Sequence, residues 1–293
     1  AVAFRLANGT VRTIRVESTR ARLHHTTLSD PEARPLSPEY GARSVLRMHC
    51  VLDIGGRSVE LVRWIGSQQS FYEPWVIMGV RIWLDAVDDL FELLTETHGE
   101  CRPRRTVRLA LQDATLRVCP VLLHPWCPLP DRTLRIDQCY DGNDCWLGPY
   151  FGAEAHGGLD INHQAGTPIW APVAIDEQGL FNSLAAGDAN NRWRGYHRWD
   201  DGSEWILQVH HVIALHPPAE KPVPAGSHLA DGAGVAVGAH EHSHFQFAVV
   251  EPGASRAQAI RLDPWILFWQ MYQDRSATRA PEMSLATDWK LQT

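Results

Sequence analysis

"GAHEHSHFQF", residues 238–247, sets three histidines, His240, His242 and His244, at every second position ahead of an apolar alternation. On a strand, residues two apart share a face with Cα atoms about 6.6 Å from each other, so these rings form one short row. A row of imidazoles is costly to bury unless it has a task. Ten of the fifteen histidines lie between His156 and His244, a crowding that favours one localised site over scattered use.

Upstream, "EAHGGLDINHQAGTPIWAP" at 154–172 carries the complementary donors. His156 and Asp160 are four apart, roughly 13 Å if the chain were extended, too far to share an ion with bonds of about 2.0–2.2 Å. Gly157 and Gly158 have no Cβ and let the chain fold sharply, so that the imidazole and the carboxylate converge. A third donor from the histidine row gives two nitrogens and one oxygen with a fourth position open to water. That is the pattern of a catalytic zinc rather than a closed structural one.

The remaining sequence reads mainly as β-structure. "VRTIRVE" (11–17), "SVLRMHCVLDI" (44–54) and "SVELVRWI" (58–65) around Gly55-Gly56, then "TVRLALQD" (106–113) and "TLRVCPVLL" (115–123), predict two hairpins of a β-sandwich-like N-terminal domain. Between them "WLDAVDDLFELLTETHG" predicts one helix with Leu84, Val87, Phe91 and Leu94 on a single face and Gly99 as C-cap. Pro125, Pro128 and Pro130 interrupt the pattern. The expected organisation is an N-terminal β-rich domain over 1–135, a second β domain over 136–275 and a C-terminal extension over 276–293.

Composition sets outer bounds. The chain of 293 residues is 44% apolar, enough for real cores, and its net charge of −7 without long runs argues against a nucleic-acid partner. No apolar run reaches 18 residues, so no membrane span is expected. The six cysteines, Cys50, Cys101, Cys119, Cys127, Cys139 and Cys145, lack C-x-x-C spacing and read as disulfide formers outside the cytosol, with Cys139 to Cys145 in "CYDGNDC" the one pairing assigned and buried free thiols the alternative for the other four. The start at "AVAFRL" without methionine is consistent with a removed leader.

Four ordered motifs, "HGGLD", "GTPIWAP", "VPAGSHLADGAGVAVG" and "HSHFQF", together with a proline-containing exit, "RLDPWILFWQ", resemble those of the LytM/lysostaphin-type zinc endopeptidases, which cut peptide cross-links of bacterial peptidoglycan. The resemblance covers about residues 150–270. It implies an antiparallel β catalytic domain of the duplicated hybrid motif type, and one zinc ion held by His156, Asp160 and His244. By the same resemblance His242 and His211 are the catalytic histidines, His211 because Val209-His210-His211-Val212 aligns with the family's Y-x-H-L. The chain departs from the pattern in three places: the tyrosine is a valine, His210 and the more distant His216 compete with His211, and the segment before H-x-H is reduced to "AHE". Because successive strand residues face opposite ways, only one of His210 and His211 is expected at the metal.

The implied activity is hydrolysis of peptide bonds in peptidoglycan cross-links or stem peptides by a secreted or periplasmic protein. The alternative is a non-catalytic scaffold of the same fold that binds cell wall or activates a partner hydrolase. His163 and His197 read as structural and His240 as solvent-facing or substrate-adjacent; latent members of the resembled family can have an upstream segment that covers the zinc, a role for which His124 or Asn143 could serve, although no motif marks either. Trp193 and Trp199 read as core residues with glycan stacking as the other use.

Overall fold

A computed structural model of the chain describes residues 1–26, 44–65, 72–94, 96–97, 99–118, 122–128, 154–181, 191–215, 221–237 and 240–272. Strands β1 (Val2–Arg5), β2 (Val11–Thr26), β3 (Ser44–Ile54) and β4 (Arg57–Ile65) form a four-stranded antiparallel sheet in that order. Gly55 and Gly56, at φ 58° and 86°, close the β3/β4 hairpin. Two consecutive left-handed residues are what a tight right-twisted hairpin requires.

Strands β5 (Trp75–Ile77), β6 (Val80–Val87) and β8 (Val107–Asp113) make a three-stranded sheet, while β7 (Glu96–Thr97) pairs in parallel with β9 (Glu154–Ala155). One core lies between the first two sheets, where Met48, Leu52 and Leu61 meet Ile82, Leu84 and Ala86. Trp83 and Ala110 face the other way into a second core. Every residue of β6 is therefore buried.

That double burial explains a correction. The stretch expected as a helix from Trp83 is strand β6 followed by a short 3-10 turn over Asp88–Glu92. A strand covered on both faces shows no period-2 alternation, and a continuous apolar run cannot be told from a buried helix by pattern. The second expected hairpin is not formed either: β8 pairs with β6, and residues 115–118 are in no strand. The disulfide reading fails for Cys50, Cys101 and Cys127, which are buried free thiols; Cys119, Cys139 and Cys145 lie outside the described residues.

The largest sheet runs β10 (Leu159–Asn162), β17 (His240–Val250), β14 (Glu204–Leu215), β13 (Asn191–Arg198), β12 (Glu177–Phe181), all antiparallel. At its margins β11 (Pro168–Trp170) pairs β15 (His228–Gly232), which also pairs β14, and β16 (Val235–Val237) and β18 (Ile260–Leu262) pair β17. One face buries Trp205, Leu207, Val209, Phe245, Phe247 and Val249 in the second core, against Trp126 and the helix α1 (Trp265–Tyr272). The helix is short, apolar but for Gln270, whose amide donates to Gln112 at 3.0 Å, and wholly buried, as such a composition demands. Asp263 caps it by accepting the Trp265 N–H at 2.8 Å.

A buried polar junction ties the sheets together. Arg63 of β4 pairs with Asp263 at 2.5 Å and donates to the Leu84 carbonyl at 2.8 Å, while Asp85 accepts from the Asp263 N–H and from Arg108. Arg63 can be buried because each of its partners is already fixed. Among the described residues no helix is long and apolar enough to cross a membrane.

Candidate metal centre

The site is on the opposite face of the large sheet from the core. Strand register sets it: Asp160 of β10 stands opposite His244 of β17, and His244 stands opposite His210 of β14. Alternation then sends Phe245 and Phe247 into the core and Gln246, His244 and His242 to the polar face. His156 arrives from the turn before β10.

Asp160 is the hub. Its Oδ1 lies 2.8 Å from His244 Nδ1 and 3.5 Å from His156 Nε2, and its Oδ2 lies 3.6 Å from His242 Nε2. The rings of His156 and His244 meet edge to face at 4.5 Å. All four side chains are buried. One donor atom from each of His156, Asp160 and His244 falls within 4.8 Å of the others. A tetrahedral ion with bonds of about 2.0–2.2 Å spaces its donors about 3.3–3.6 Å apart, so the set fits a zinc ion after small adjustments.

Gly158 makes room for this. A Cβ there would meet the Phe245 carbonyl oxygen and lie 2.6 Å from His244 Cε1 and Nε2. Its φ is not in the left-handed region, so its role is close approach to His244 rather than the sharp reversal expected from the sequence.

His210 and His211 overturn the alternation rule. Asn191 pairs with Val212 but Arg192 pairs with His210, leaving His211 as the extra residue of a β-bulge, at φ 63°. A bulge re-aims side chains and permits two neighbours to share a face. The His211 ring lies 4.9 Å from that of His242, and the His210 ring 4.6 Å from that of His244. Burial, and then the neighbouring His242, push the His211 imidazole down to about 3. His210 is also driven far below the ordinary histidine value, by burial and then by His244. Both rings are therefore neutral at physiological pH, and His211 Nδ1 is buried without a hydrogen-bond partner.

The polar row beneath these rings was missed from sequence. Arg194 Nε donates to Gln208 Oε1 at 2.7 Å, Gln208 Nε2 donates to Gln246 Oε1 at 2.9 Å and touches His210 Nε2, and Gln246 Nε2 reaches His244 Nε2 at 2.8 Å. A signal was present: in "LQVHHV" and "HFQF" the glutamines sit two residues from a site histidine, at same-face positions.

The other sequence candidates lie elsewhere. His163 Nε2 bonds Ser243 Oγ at 2.6 Å behind the site. His197 packs on Trp199 beside Asp176, and His124 packs on Trp170 and bonds the Pro125 carbonyl. Trp193 is buried in the core, its indole N–H on Gln178. Trp199 lines a cleft of about 450 Å³ with Asp176, Glu177, Arg198, Glu204 and Arg256, beside His197 and at the other end of β13 and β14 from His210 and His211. The His240 side chain, His216 and Asn143 lie outside the described residues.

No protein-family model matches the sequence, and no curated protein sequence matches it. Solved structures give only distant matches. The antimicrobial peptidase lysostaphin from Staphylococcus simulans is 24% identical with a TM-score of 0.30, over 46% of this chain and 51% of that one. A mutant catalytic domain of the prophage-encoded protein EnpA from Enterococcus faecalis is 15% identical with a TM-score of 0.29, over 50% and 90%. A zinc-containing peptidase from Vibrio cholerae is 12% identical with a TM-score of 0.27, over 88% and 76%. The chain thus spans about half the length of lysostaphin. Scores this low leave function to be judged from the side chains themselves.

Proposed function

We propose that the protein is a zinc-dependent endopeptidase whose ion is held by His156, Asp160 and His244, with His242 and His211 as its catalytic histidines. The observation that carries this is the meeting of two imidazoles and one carboxylate from separated parts of the chain within 4.8 Å, beside two further imidazoles. A storage site has no use for a single spaced aspartate flanked by unligated rings. A bound zinc supplies a Lewis acid for the scissile carbonyl and lowers the pKa of its water toward about 7.

The chain's own residues supply the rest. His242, held 3.6 Å from Asp160 Oδ2, and His211, neutral with an unpartnered Nδ1, are placed to accept a proton and to hydrogen-bond a developing oxyanion. Such groups contribute about 10² to 10⁴ in rate. Burial of the cluster keeps the field of Asp160 unscreened.

The substrate class follows the motif resemblance: peptide cross-links or stem peptides of peptidoglycan, met by a secreted or periplasmic protein. A scaffold that binds cell wall without cutting it is the second reading, and the retained donor set disfavours it. Incubating zinc-loaded protein with peptidoglycans of several cross-link types, with and without chelator, decides between them by mass analysis of released fragments. Chelator-sensitive release supports the peptidase; binding without release supports the scaffold.

A further inference from the structure

We infer that Arg194, acting through Gln208 and Gln246, fixes the proton of the His244 ring on Nδ1 in the metal-free chain and so opposes loading of the centre. This rests on the proposed metal site. The three residues lie in one row across the sheet, Arg194 of β13 opposite Gln208 of β14 and Gln208 opposite Gln246 of β17, and Gln208 and Gln246 are buried.

Amide groups of glutamine can be turned either way, but an arginine N–H can only donate. The Gln208 atom 2.7 Å from Arg194 Nε is therefore its oxygen. Its nitrogen then donates toward Gln246 at 2.9 Å, which makes the near atom of Gln246 its oxygen. The Gln246 nitrogen in turn donates to His244 Nε2 at 2.8 Å, so that ring nitrogen is the acceptor. A neutral imidazole with Nε2 accepting carries its hydrogen on Nδ1. This hydrogen is donated to Asp160 Oδ1 at 2.8 Å. One charged donor thus sets the direction of four successive hydrogen bonds.

Nδ1 is also the nitrogen of His244 that faces Asp160 Oδ1, the oxygen that lies 3.5 Å from His156 Nε2. To ligate, it must lose its hydrogen, and the ring stays neutral by taking one at Nε2, so no net proton is gained or lost by the imidazole. The Nε2–H then needs an acceptor, which requires Gln246 to turn. A turned Gln246 opposes its NH₂ to that of Gln208, so Gln208 must turn as well. A turned Gln208 presents NH₂ to Arg194, two donors face to face, and the arginine has to leave. Ligand-orienting partners of this kind normally favour the metallated tautomer, and altering them shifts metal affinity about 10- to 100-fold; here the anchored polarity favours the metal-free one.

The test uses the full chain. Zinc affinity by competition with a chromophoric chelator, and the His244 tautomer by ¹⁵N NMR of metal-free protein, are compared for the wild type, Arg194→Met, Gln208→Met and the double variant, with His244→Ala as assignment control. Arg194→Met is expected to tighten zinc about 10-fold or more and to move the His244 hydrogen toward Nε2. Gln208→Met cuts the same relay, so it should do likewise, and the double variant should be no tighter than either single one. A wild-type His244 protonated at Nε2 overturns the inference, as do additive effects or a zinc affinity unchanged in both folded single variants. Absence of zinc binding by the wild type refutes the metal centre instead, and the tautomer measurement still decides the relay.

Discussion

Gly158→Ala is the most selective probe of how the backbone supports the centre. The added Cβ would lie 2.6 Å from His244 Cε1 and Nε2, where ordinary contact starts near 3.4 Å, and would also meet the Phe245 carbonyl oxygen. That carbonyl belongs to β17, which is paired on both sides, so it cannot move alone. The imidazole must retreat by about 0.8 Å, well beyond the roughly 0.2 Å that a metal–ligand bond tolerates. Overpacking of this size costs about 1–3 kcal/mol, or a fall in Tm of roughly 2–5 °C for a chain of this length. Thermal unfolding by circular dichroism in chelator, with zinc per chain measured after dialysis against the metal, reads both effects. Expected are a lower Tm and a zinc content far below that of the wild type. A variant with wild-type Tm and full zinc content would refute the close approach of Gly158 to His244.

Three other outcomes follow from the geometry. His242→Ala and His211→Ala should retain zinc and lose about 10² to 10⁴ in turnover; an active His242→Ala protein removes that residue from the chemistry. Burial, and then His242, push the His163 imidazole down to about 4 from 6.5, so the unfolded chain takes up the proton first. Its stabilising contribution is complete above pH 6.5 and is lost as pH falls from 6.5 to 4, on the order of 3 kcal/mol; urea unfolding of wild type and His163→Gln should diverge across that window, and parallel curves contradict it. Arg63→Ala leaves Asp263 buried without its cation and should cost about 3–5 kcal/mol in urea unfolding, whereas a loss under 1 kcal/mol would deny the junction its role.

Much of the centre was legible in the sequence because its information is local. H-x-H on a strand fixes a shared face, and the fold does bring His156, Asp160 and His244 together. What escaped depended on context beyond a few residues. The bulge that turns His210 and His211 to one side is a register shift against β13, and no local pattern announces it. The relay from Arg194 needs three strands in register before its members meet. Strand β6 reads as a helix in the sequence because its second face is covered by residues far along the chain, including Trp269 against Trp83. Most expected strands, by contrast, formed as their alternation and the Gly55-Gly56 turn required.

Zinc bound per folded chain tests the central claim most directly, measured for the wild type beside His156→Ala, Asp160→Ala and His244→Ala after loading and dialysis. One ion in the wild type, and loss of that ion in each variant with the circular dichroism spectrum kept, is the result predicted here. A wild type that holds no zinc, or an Asp160→Ala protein that still holds a full equivalent, would contradict it.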